Sequence, residues 1–234
     1  MALQRWAVVE PIFERSAPAR VLEIGCGMGG FGARLASRYR YVGLEQDEIS
    51  CTTARERIEA AGGRVVHGSV GDVDDGPFDL VCAFEVLEHI EDDAGALKEW
   101  VAKLAPAGTL VISVPAGSSR FGTSDAFVGH FRRYDADQLE KTLFDAGLTD
   151  VELTWYAWPL GFLAEAVRNR VAARRQPAQE STSMPDRTAG SGRWMQPGPV
   201  TGELMRIATA PFIWAQRTRP DRGVGLVAVA RRPS

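Results

Sequence analysis

Apolar residues follow two alternating spacings along the chain. Short, nearly continuous apolar runs lie at 20–24, 41–44, 64–67, 78–84, 109–114, 151–156 and 224–230. Apolar residues at helical spacing fill intervals at 3–15, 30–38, 48–61, 93–104 and 135–146. Strands that alternate with helices indicate an α/β domain, and continuous apolar runs are typical of parallel strands covered on both faces. The pattern therefore predicts one mainly parallel sheet with helices packed on it.

The segment before the last strand departs from this alternation. Residues 160–175 predict a helix with one apolar face and a basic end, and residues 202–217 predict a second helix broken at Pro211. Residues 176–200 are rich in Pro, Ser, Gly and Thr, which favours a flexible segment. The predicted divisions are a core over 1–157, a helical lid or substrate insertion over 158–222, and the last strand of the core over 223–234.

Charge is unevenly distributed over the 234 residues, whose formal net charge is −3. Residues 1–150 hold 15 Lys+Arg and 24 Asp+Glu, and residues 151–234 hold 12 Arg and 6 Asp+Glu, so their net charges are −9 and +6. A basic C-terminal part could meet an anionic substrate or a membrane surface. No block of five like charges occurs, however, which favours an ordinary solvated surface. The overall negative charge disfavours a nucleic-acid partner.

The cysteines and the N-terminus suit a cytoplasmic protein. Cys26, Cys51 and Cys82 fall in predicted elements without metal-ligand spacing, as expected for buried thiols in a reducing compartment. No run of about 18 apolar residues occurs, so we expect no membrane-spanning helix. Acids interrupt the apolar N-terminal stretch, unlike a signal peptide. A peripheral membrane contact through residues 160–175 remains an alternative to a lid, and the oligomeric state stays open.

Four glycines, at positions 25, 27, 29 and 30, directly follow the first predicted strand and precede a helix. Glycine permits positive φ and lets a ligand approach the bare backbone, while free N–H groups at a helix start favour a negative group. Gly25, Gly27 and Gly30 fit the G-x-G-x-x-G fingerprint of dinucleotide-binding proteins. The glycines alone therefore indicate a nucleotide-like ligand without identifying it.

Two acids refine the prediction. Glu45, at the tip of the second strand, is placed to accept the ribose hydroxyls of an adenosyl ligand. Glu23 lies two residues before the glycine turn, outside the dinucleotide fingerprint, and is costly to bury without a partner. A cationic ammonium group on the ligand, or a water chain to it, would supply that partner.

Two motifs together resemble those of class I S-adenosylmethionine (SAM) methyltransferases. Residues 23–29 fit E-x-G-x-G-x-G, and Phe78-Asp79-Leu80-Val81-Cys82-Ala83-Phe84-Glu85-Val86-Leu87-Glu88-His89-Ile90 fits F-D-x-V-x-x-x-x-V-L-E-H-[IV]. The nearest in look are ubiquinone-biosynthesis-type and other small-molecule O-methyltransferases, over about residues 20–157. The resemblance implies an α/β, Rossmann-like, doubly wound sheet of seven mostly parallel strands. Its last strand is antiparallel, and here a helical lid precedes that strand.

The same resemblance implies SAM as the cofactor and assigns residues to it. The residues at its motif positions are Glu23, Gly25, Cys26, Gly27, Gly30, Glu45, Gln46, Ser69, Val70 and Phe84. Asp72 is the alternative candidate in the loop after the third strand, where adenine is expected to bind.

Methyl transfer from a sulfonium is an in-line displacement, so the protein mainly aligns donor and acceptor. A hydroxyl acceptor also needs a base, for which histidine is the usual choice. His89 follows the fourth strand, and His130 lies in a predicted long loop over 115–134, so these two and Glu85 are the catalytic candidates. A loop of roughly 20 residues in a compact domain is usually functional. His67 lies inside the third strand and is predicted to be structural.

Glu85, Glu88, His89 and His130 also resemble the metal-binding set of small-RNA 3′-end 2′-O-methyltransferases. Two carboxylates and two imidazoles could hold Mg²⁺, Mn²⁺ or Zn²⁺ and lower the pKa of an acceptor hydroxyl. In the alternative, Glu88 pairs locally and His89 lines the pocket without a metal ion.

Two further groups are candidate substrate contacts. Arg132, Arg133 and Tyr134 could steer an anionic substrate or could anchor their loop through salt bridges. Trp155, Tyr156 and Trp158 could form an apolar wall over the acceptor or could pack in the core.

The sequence thus predicts a SAM-dependent methyltransferase that acts on oxygen of a small molecule, such as a natural product, a quinone-like compound or a sugar. Three alternatives stand beside it. A metal-assisted RNA ribose 2′-O-methyltransferase is disfavoured by the net charge of −3. An NAD(P)-dependent oxidoreductase is disfavoured by Glu23 and by the lack of a Tyr-x-x-x-Lys motif. The third alternative is a non-catalytic SAM-binding partner.

Overall fold

In the computed structural model, which describes residues 2–175 and 209–234, strands and helices alternate along the chain. The strands are β1 (Arg20–Ile24), β2 (Arg40–Glu45), β3 (Arg64–His67), β4 (Phe78–Phe84), β5 (Leu104–Pro115), β6 (Thr149–Tyr156) and β7 (Gly225–Arg231). The helices are α1 (Ala2–Ser16), α2 (Gly32–Ala36), α3 (Glu48–Glu59), α4 (Asp93–Ala102), α5 (Thr123–Val128), α6 (Ala136–Asp145) and α7 (Leu160–Arg175). Short 3₁₀ turns lie at Val70–Asp72, Leu87–His89 and Ser118–Arg120, and residues 209–216 are helical.

The seven strands form one sheet in the order β3-β2-β1-β4-β5-β7-β6. β7 runs antiparallel to both of its neighbours, and the remaining pairs are parallel. The predicted fold class, with its reversed last strand, is therefore confirmed. The strand order reverses between β1 and β4, and doubly wound sheets bind ligands in the crevice outside the carboxyl ends of the strands at such a point.

Both faces of the sheet are covered, as the continuous apolar strands require. Successive β1 residues illustrate this, because Val21 belongs to one apolar cluster and Leu22 to the other. The first cluster joins the sheet to α1, α2 and α3 through Trp6, Val9, Phe13, Leu35, Ala54 and Ile58. The second joins it to α4 and α6 through Leu97, Trp100, Leu139 and Leu143. The crevice thus lies at one edge of a closely packed three-layer core.

The prediction of one long loop over 115–134 is wrong in its middle, which contains a 3₁₀ turn and α5. Helix α5 is closed at both ends by local chemistry. At its start, the carboxylate of Asp125 accepts the N–H of Gly122 at 2.8 Å. At its end, Gly129 takes a left-handed φ of 82°, a conformation that favours glycine. β5 also begins earlier than predicted, at Leu104.

Helix α7 forms over the predicted residues, but its apolar side chains face away from the domain. Gly161, Glu165 and Ala172 are buried, whereas large apolar side chains on the opposite side are exposed, namely those of Phe162, Leu163 and Val167. Of the predicted second helix, residues 209–216 are helical and include Pro211. Residues 202–208 and the predicted flexible segment 176–200 lie outside the described residues. No helix among those described is long and apolar enough to cross a membrane.

Candidate active site

The turn after β1 depends on glycine. Gly25, Gly27 and Gly29 have φ values of 68°, 55° and 77°, in the left-handed region that side chains disfavour. A Cβ at Gly25 would lie 2.6 Å from Cγ2 of Val86. At Gly27 and Gly30, by contrast, no atom of the described chain lies within 4 Å of where a Cβ would stand. Bare backbone therefore borders open space at these two positions, as a closely approaching ligand requires.

Glu45 holds this turn against the tip of β2. Its Oε2 accepts the N–H of Gly27 at 2.7 Å, and its Oε1 accepts the N–H groups of Gln46 at 3.0 Å and Asp47 at 2.9 Å. Beside it, buried Cys26 donates its N–H to the carbonyl of Leu44 at 3.0 Å. The predicted ribose acid thus lies where the glycine turn meets the second strand.

Glu23 lies inside the sheet face covered by α1 and is only 3% exposed. Its Oε2 accepts a 2.5 Å hydrogen bond from the hydroxyl of Tyr41 on β2. Burial raises the pKa of Glu23 to about 7, although the Tyr41 hydroxyl and the positive charge of Arg5 act in the opposite direction. The carboxylate is therefore poised to gain from a cation, which would favour its ionised form.

The loop after β3 is tied by its own acid. Oδ2 of Asp72 accepts the N–H of Ser69 at 2.7 Å and its hydroxyl at 2.8 Å. These two bonds lower the pKa of Asp72. Val70 is buried, whereas Ser69 is exposed. Both candidates for the adenine contact, Ser69–Val70 and Asp72, thus belong to one closed turn. His67, at the end of β3, contacts the carbonyl of Gln46 through Nε2 at 3.0 Å.

An aromatic stack connects α1 with the end of β4. The ring of Phe84 meets Phe31 edge-on at 5.6 Å, and Phe31 stacks on Trp6 at 5.0 Å between centroids. The guanidinium of Arg5 lies 5.2 Å from the Phe31 centroid and 5.6 Å from that of Phe84. Arg5 also pairs with Oε1 of Glu85 at 3.4 Å. The first helix thus contributes a cation to the crevice.

Glu85, directly after β4, is held in an unusual backbone conformation with φ of 59°. Its Oε1 accepts the hydroxyls of Tyr156 at 2.8 Å and Ser113 at 3.1 Å. Burial opposes ionisation, but Arg5, the Tyr156 hydroxyl and the other polar neighbours outweigh it and hold the pKa of Glu85 below its ordinary value. Glu85 is therefore an ionised acid whose Oε1 is engaged by the protein.

Glu88 differs sharply from Glu85. Its side chain is 0% exposed, and neither carboxylate oxygen has a hydrogen-bond partner among the described residues. Burial and the charge of Glu85 raise the pKa of Glu88 well above its ordinary value. The pKa values of two acids three residues apart are thus shifted in opposite directions, a separation typical of functional sites.

Two histidine rings meet beside Glu88. The rings of His89 and His130 contact edge to face, with centroids 4.6 Å apart, and Nε2 of His130 lies 3.9 Å from Oε1 of Glu88. Nδ1 of His89 contacts the carbonyl of Gly129 at 3.2 Å. Burial and the neighbouring His130 lower the pKa of His89 to about 4, so this ring is neutral near pH 7. The structure therefore brings together the two predicted catalytic histidines.

Asp125 orients His130. Oδ1 of Asp125 lies 2.9 Å from Nδ1 of His130, and Arg133 donates to both oxygens of the same carboxylate, from Nε at 2.9 Å and Nη2 at 2.7 Å. Burial works against ionisation of Asp125, but the hydrogen bonds from His130 and Arg133 lower its pKa to about 2. An ionised Asp125 accepts a proton-bearing Nδ1, which leaves Nε2 of a neutral His130 as the basic nitrogen.

The remaining predicted substrate residues make internal contacts. Arg132 donates to the carbonyls of Ile90 at 3.0 Å and Glu91 at 2.6 Å and pairs with Asp93 at 2.9 Å. The buried Tyr134 donates its hydroxyl to Asp93 at 2.7 Å. Together with the buried Arg133, these contacts favour the anchoring alternative for all three residues.

The three aromatic candidates around the end of β6 separate in the structure. Trp155 is partly buried and packs on the core cluster of the α4–α6 face. Tyr156 is buried, with its hydroxyl on Glu85. Trp158 is half-buried, and its backbone N–H donates to Oε1 of Gln216 at 2.7 Å. Of the three, Tyr156 alone is in contact with a predicted catalytic residue.

Donor atoms of Glu88, His89 and His130 lie within 4.8 Å of one another, close enough to hold a metal ion. Glu85, the fourth predicted ligand, instead engages Arg5, Ser113 and Tyr156. Among the described residues, the donor atoms grouped closely enough for a metal ion are thus those of Glu88, His89 and His130.

Three residues of the site were missed by sequence reasoning. Tyr41 sits in a short apolar strand, and Arg5 sits in an amphipathic helix, so neither carries a local signal. Asp125 precedes His130 by five residues, yet the assumption of an irregular loop concealed that both face the same cluster. A helix signal at Thr123–Val128, bounded by Gly122 and Gly129, would have pointed to it.

Three features together indicate the class of protein. The sheet order, the glycine turn and the acids at the ends of β1 and β2 are those of class I, Rossmann-like SAM-dependent methyltransferases. Residues 5–153 match the family profile described as a methyltransferase domain, and the chain belongs to that family. A probable S-adenosylmethionine-dependent methyltransferase of Mycobacterium tuberculosis is 28% identical over 235 residues, covering 95% of this chain and 81% of the relative. Tocopherol O-methyltransferase of Arabidopsis thaliana is 31% identical over 116 residues, covering 46% of this chain and 33% of the relative.

Solved structures show the same fold. Phosphoethanolamine N-methyltransferase 2 of Haemonchus contortus, in complex with S-adenosyl-L-methionine, has a TM-score of 0.59 at 20% identity. The match covers 98% of this chain and 53% of that one, so this chain spans about half its length. The family confirms an enzyme that uses SAM, and the open space beside the bare backbone at Gly27 fits an adenosyl ligand.

Proposed function

We propose that the protein methylates an oxygen atom of a small-molecule acceptor, with His130 as the general base. The observation that carries this proposal is the Asp125–His130 pair, 2.9 Å apart, beside the crevice at the carboxyl end of β4. A relative named for O-methyl transfer, the tocopherol enzyme, supports an oxygen acceptor. A nitrogen acceptor is the competing outcome, since the solved neighbour is named for N-methyl transfer.

The cofactor residues have separate tasks in this proposal. Gly25, Gly27 and Gly30 present bare backbone, and Glu45 at the tip of β2 receives the ribose. Glu23 attracts the ammonium group of the methionine part, because its buried carboxylate lacks a cation in hydrogen-bond contact within the described chain. Bound SAM supplies a methyl group activated as a sulfonium.

The chain's own residues align the acceptor and move its proton. Asp125 holds the Nδ1–H of His130, so that Nε2 can take the proton of the acceptor hydroxyl as the methyl group transfers. The neutral ring of His89 packs edge-on against His130 and limits its rotation. Glu85 keeps Tyr156 and Arg5 in place at the floor of the crevice.

Calorimetry with SAM and with its demethylated product tests the proposed cofactor site. Absence of binding by both would overturn it. The proposed transfer to oxygen is tested by incubating the protein with SAM and a panel of phenols, carboxylic acids, sugars and amines. The demethylated cofactor that forms is then measured. We expect turnover with a hydroxyl compound and a loss of at least about 100-fold in His130→Ala, with SAM affinity unchanged. Turnover confined to amines would overturn the assignment to oxygen.

The unpartnered carboxylate of Glu88 supports an alternative role for the same cluster, as a divalent-ion site in which Nε2 of His130 is a ligand and not the general base. An acid buried without partners is expensive, and a cation held with His89 and His130 would offset that cost. Three such ligands with further positions open to an acceptor could lower the pKa of a hydroxyl.

Thermal unfolding in a chelator, then with Mn²⁺ or Zn²⁺, tests this second role. An ion held by the cluster raises the melting temperature of the wild type and leaves Glu88→Gln unchanged. Equal responses of the two proteins would exclude the site. A changed turnover on RNA 3′ ends after adding Mn²⁺ would favour an RNA acceptor instead.

A further inference from the structure

Helix α7 buries a charged side chain on the side that faces the domain. Its buried positions include Glu165, whereas Phe162, Leu163 and Val167 face outwards. Asn169 accepts the N–H of Ser124 at 3.0 Å and so joins α7 to the start of α5. The ring of Phe162 lies under the guanidinium of Arg120, 4.3 Å from its centroid, so the contacts of α7 with the domain include charged side chains.

Four side chains of alternating charge form what we call the charge ladder: Arg120, Glu165, Arg133 and Asp125. Arg120 pairs with Oε2 of Glu165, and Arg133 donates from Nη1 to Oε1 of Glu165 at 3.0 Å. Arg133 then donates to both oxygens of Asp125. Glu165, Arg133 and Asp125 are all buried, and the ladder has no net charge. A buried charge that loses its partner is strongly destabilised, so each member constrains the next.

The ladder ends at His130. Nδ1 of His130 and Nε of Arg133 both contact Oδ1 of Asp125, each at 2.9 Å. The two donors therefore share one oxygen, and the position of Arg133 decides how much of that oxygen His130 receives. Glu165 sets that position, because it takes the one Arg133 nitrogen that Asp125 does not engage.

We propose that Glu165 is a positioning residue of the active site, which fixes the orientation and the tautomer of His130 through Arg133 and Asp125. His130 is then held in the tautomer that can act as a base only when α7 is packed against the domain with Glu165 in contact with Arg133. The inference rests on the proposed function, since that gives His130 its role. When Glu165 is absent, the buried guanidinium of Arg133 and the partly exposed one of Arg120 are left with the single carboxylate of Asp125. Arg133 then moves further onto Asp125 and weakens the bond to His130.

The tautomer of His130 can be read directly, because the chain has only three histidines. With ¹⁵N-labelled histidine, two-bond ¹H–¹⁵N spectra distinguish Nδ1–H from Nε2–H rings. Spectra are recorded about two pH units above the ordinary histidine pKa, with a chelator present. His130→Gln assigns the signal. In the wild type we expect the Nδ1–H form to predominate, because the ring is held by Asp125.

In Glu165→Gln we expect the ratio of Nδ1–H to Nε2–H forms to fall by at least about fivefold, the scale of one hydrogen bond. Asp125→Asn removes the carboxylate charge that holds Nδ1–H of His130, so it gives the largest change in this ratio. Asn169→Ala is the matched control, since it removes another polar contact of α7 outside the ladder, and its ratio should equal that of the wild type. Glu165→Asp keeps the charge with a shorter reach and should be intermediate, which preserves the test if Glu165→Gln does not fold.

A wild-type ratio in Glu165→Gln, with a clear change in Asp125→Asn, would overturn the inference. So would equal changes in Glu165→Gln and Asn169→Ala, which would reduce Glu165 to a structural contact. SAM binding, measured on the same samples by calorimetry, separates the two proposals. Failure of the wild type to bind SAM would refute the proposed function and leave the tautomer result standing.

Discussion

The hydroxyl of Tyr41 donates a 2.5 Å hydrogen bond to Oε2 of Glu23 across the parallel pair of β1 and β2. Both side chains are buried on the face covered by α1. The bond satisfies one carboxylate oxygen but supplies no full positive charge, so Glu23 keeps a raised pKa of about 7. The folded protein therefore disfavours ionisation of Glu23, and a cationic ligand beside this carboxyl group would favour it.

Glu23→Gln should stabilise the protein without ligand at alkaline pH. Because the folded pKa of Glu23, about 7, exceeds the ordinary value of 4.5, its favourable contribution is complete below about pH 4.5. That contribution is lost as pH rises to about 7. At pH 8 we expect Glu23→Gln to unfold with a free energy roughly 2–3 kcal/mol higher than the wild type, measured by urea denaturation. Near pH 4 the two proteins should be equal, and a constant difference across pH would contradict the explanation.

Tyr41→Phe should weaken SAM binding at neutral pH. Loss of the hydroxyl removes a bond that lowers the pKa of Glu23, so more of the acid is protonated and unable to attract an ammonium group. We expect Kd to rise roughly threefold to tenfold at pH 7, with a smaller change at pH 9, measured by calorimetry. Tyr39→Phe removes a nearby hydroxyl that does not contact Glu23 and should bind SAM as the wild type does.

Gly27→Ala and Gly147→Ala separate backbone strain from loss of the ligand site. Both glycines have positive φ, 55° and 88°, and at both a Cβ would meet no atom of the described chain within 4 Å. Each variant should lose about 1–2 kcal/mol of unfolding free energy. Only Gly27→Ala should raise the Kd for SAM, by about tenfold or more, because its methyl group enters the cofactor space. Equal affinities would place the cofactor elsewhere.

The outward side of α7 should tolerate polar substitution. Leu163 is 65% exposed, so Leu163→Ser should change the unfolding free energy by less than about 0.5 kcal/mol. Leu143→Ser is the matched control on α6, where the leucine is fully buried. It should cost roughly 3–5 kcal/mol. A large cost at Leu163 in chemical denaturation would show that this side chain is covered in solution.

Elements governed by local pattern could be predicted from the sequence. The seven strands follow from apolar runs such as 78–84, and the reversed strand at 224–230 follows from resemblance to a family. Gly25 and Gly27 could be placed at a ligand-binding turn, because few residue types other than glycine tolerate both positive φ and the close approach of a ligand. The bounds of helices and strands were predicted less accurately where the two signals meet, as at Leu104, where β5 begins.

Features decided by tertiary contacts could not be predicted. A helical apolar stripe says that α7 is amphipathic, but burial of Glu165 depends on Arg120 and Arg133 from another segment. The predicted partner of Glu23 was the ammonium group of the ligand or a water chain to it, because nothing in a short strand marks Tyr41 as a buried donor. The ion pair of Glu85 with Arg5 could not be predicted for the same reason, since Arg5 reaches it from α1.

Glu85 combines a left-handed backbone with a long acidic side chain. Such a conformation costs an ordinary residue about 1–2 kcal/mol, whereas asparagine adopts it more readily. Selection for folding and selection for activity therefore favour different residues at position 85. Loss of Glu85 would also leave Arg5 without its ion-pair partner. In an Arg5→Met background, a library of variants at this codon, sorted for thermal resistance, should therefore enrich Asn or Gly, whereas the library in the wild-type background, sorted for methyl transfer, should retain Glu.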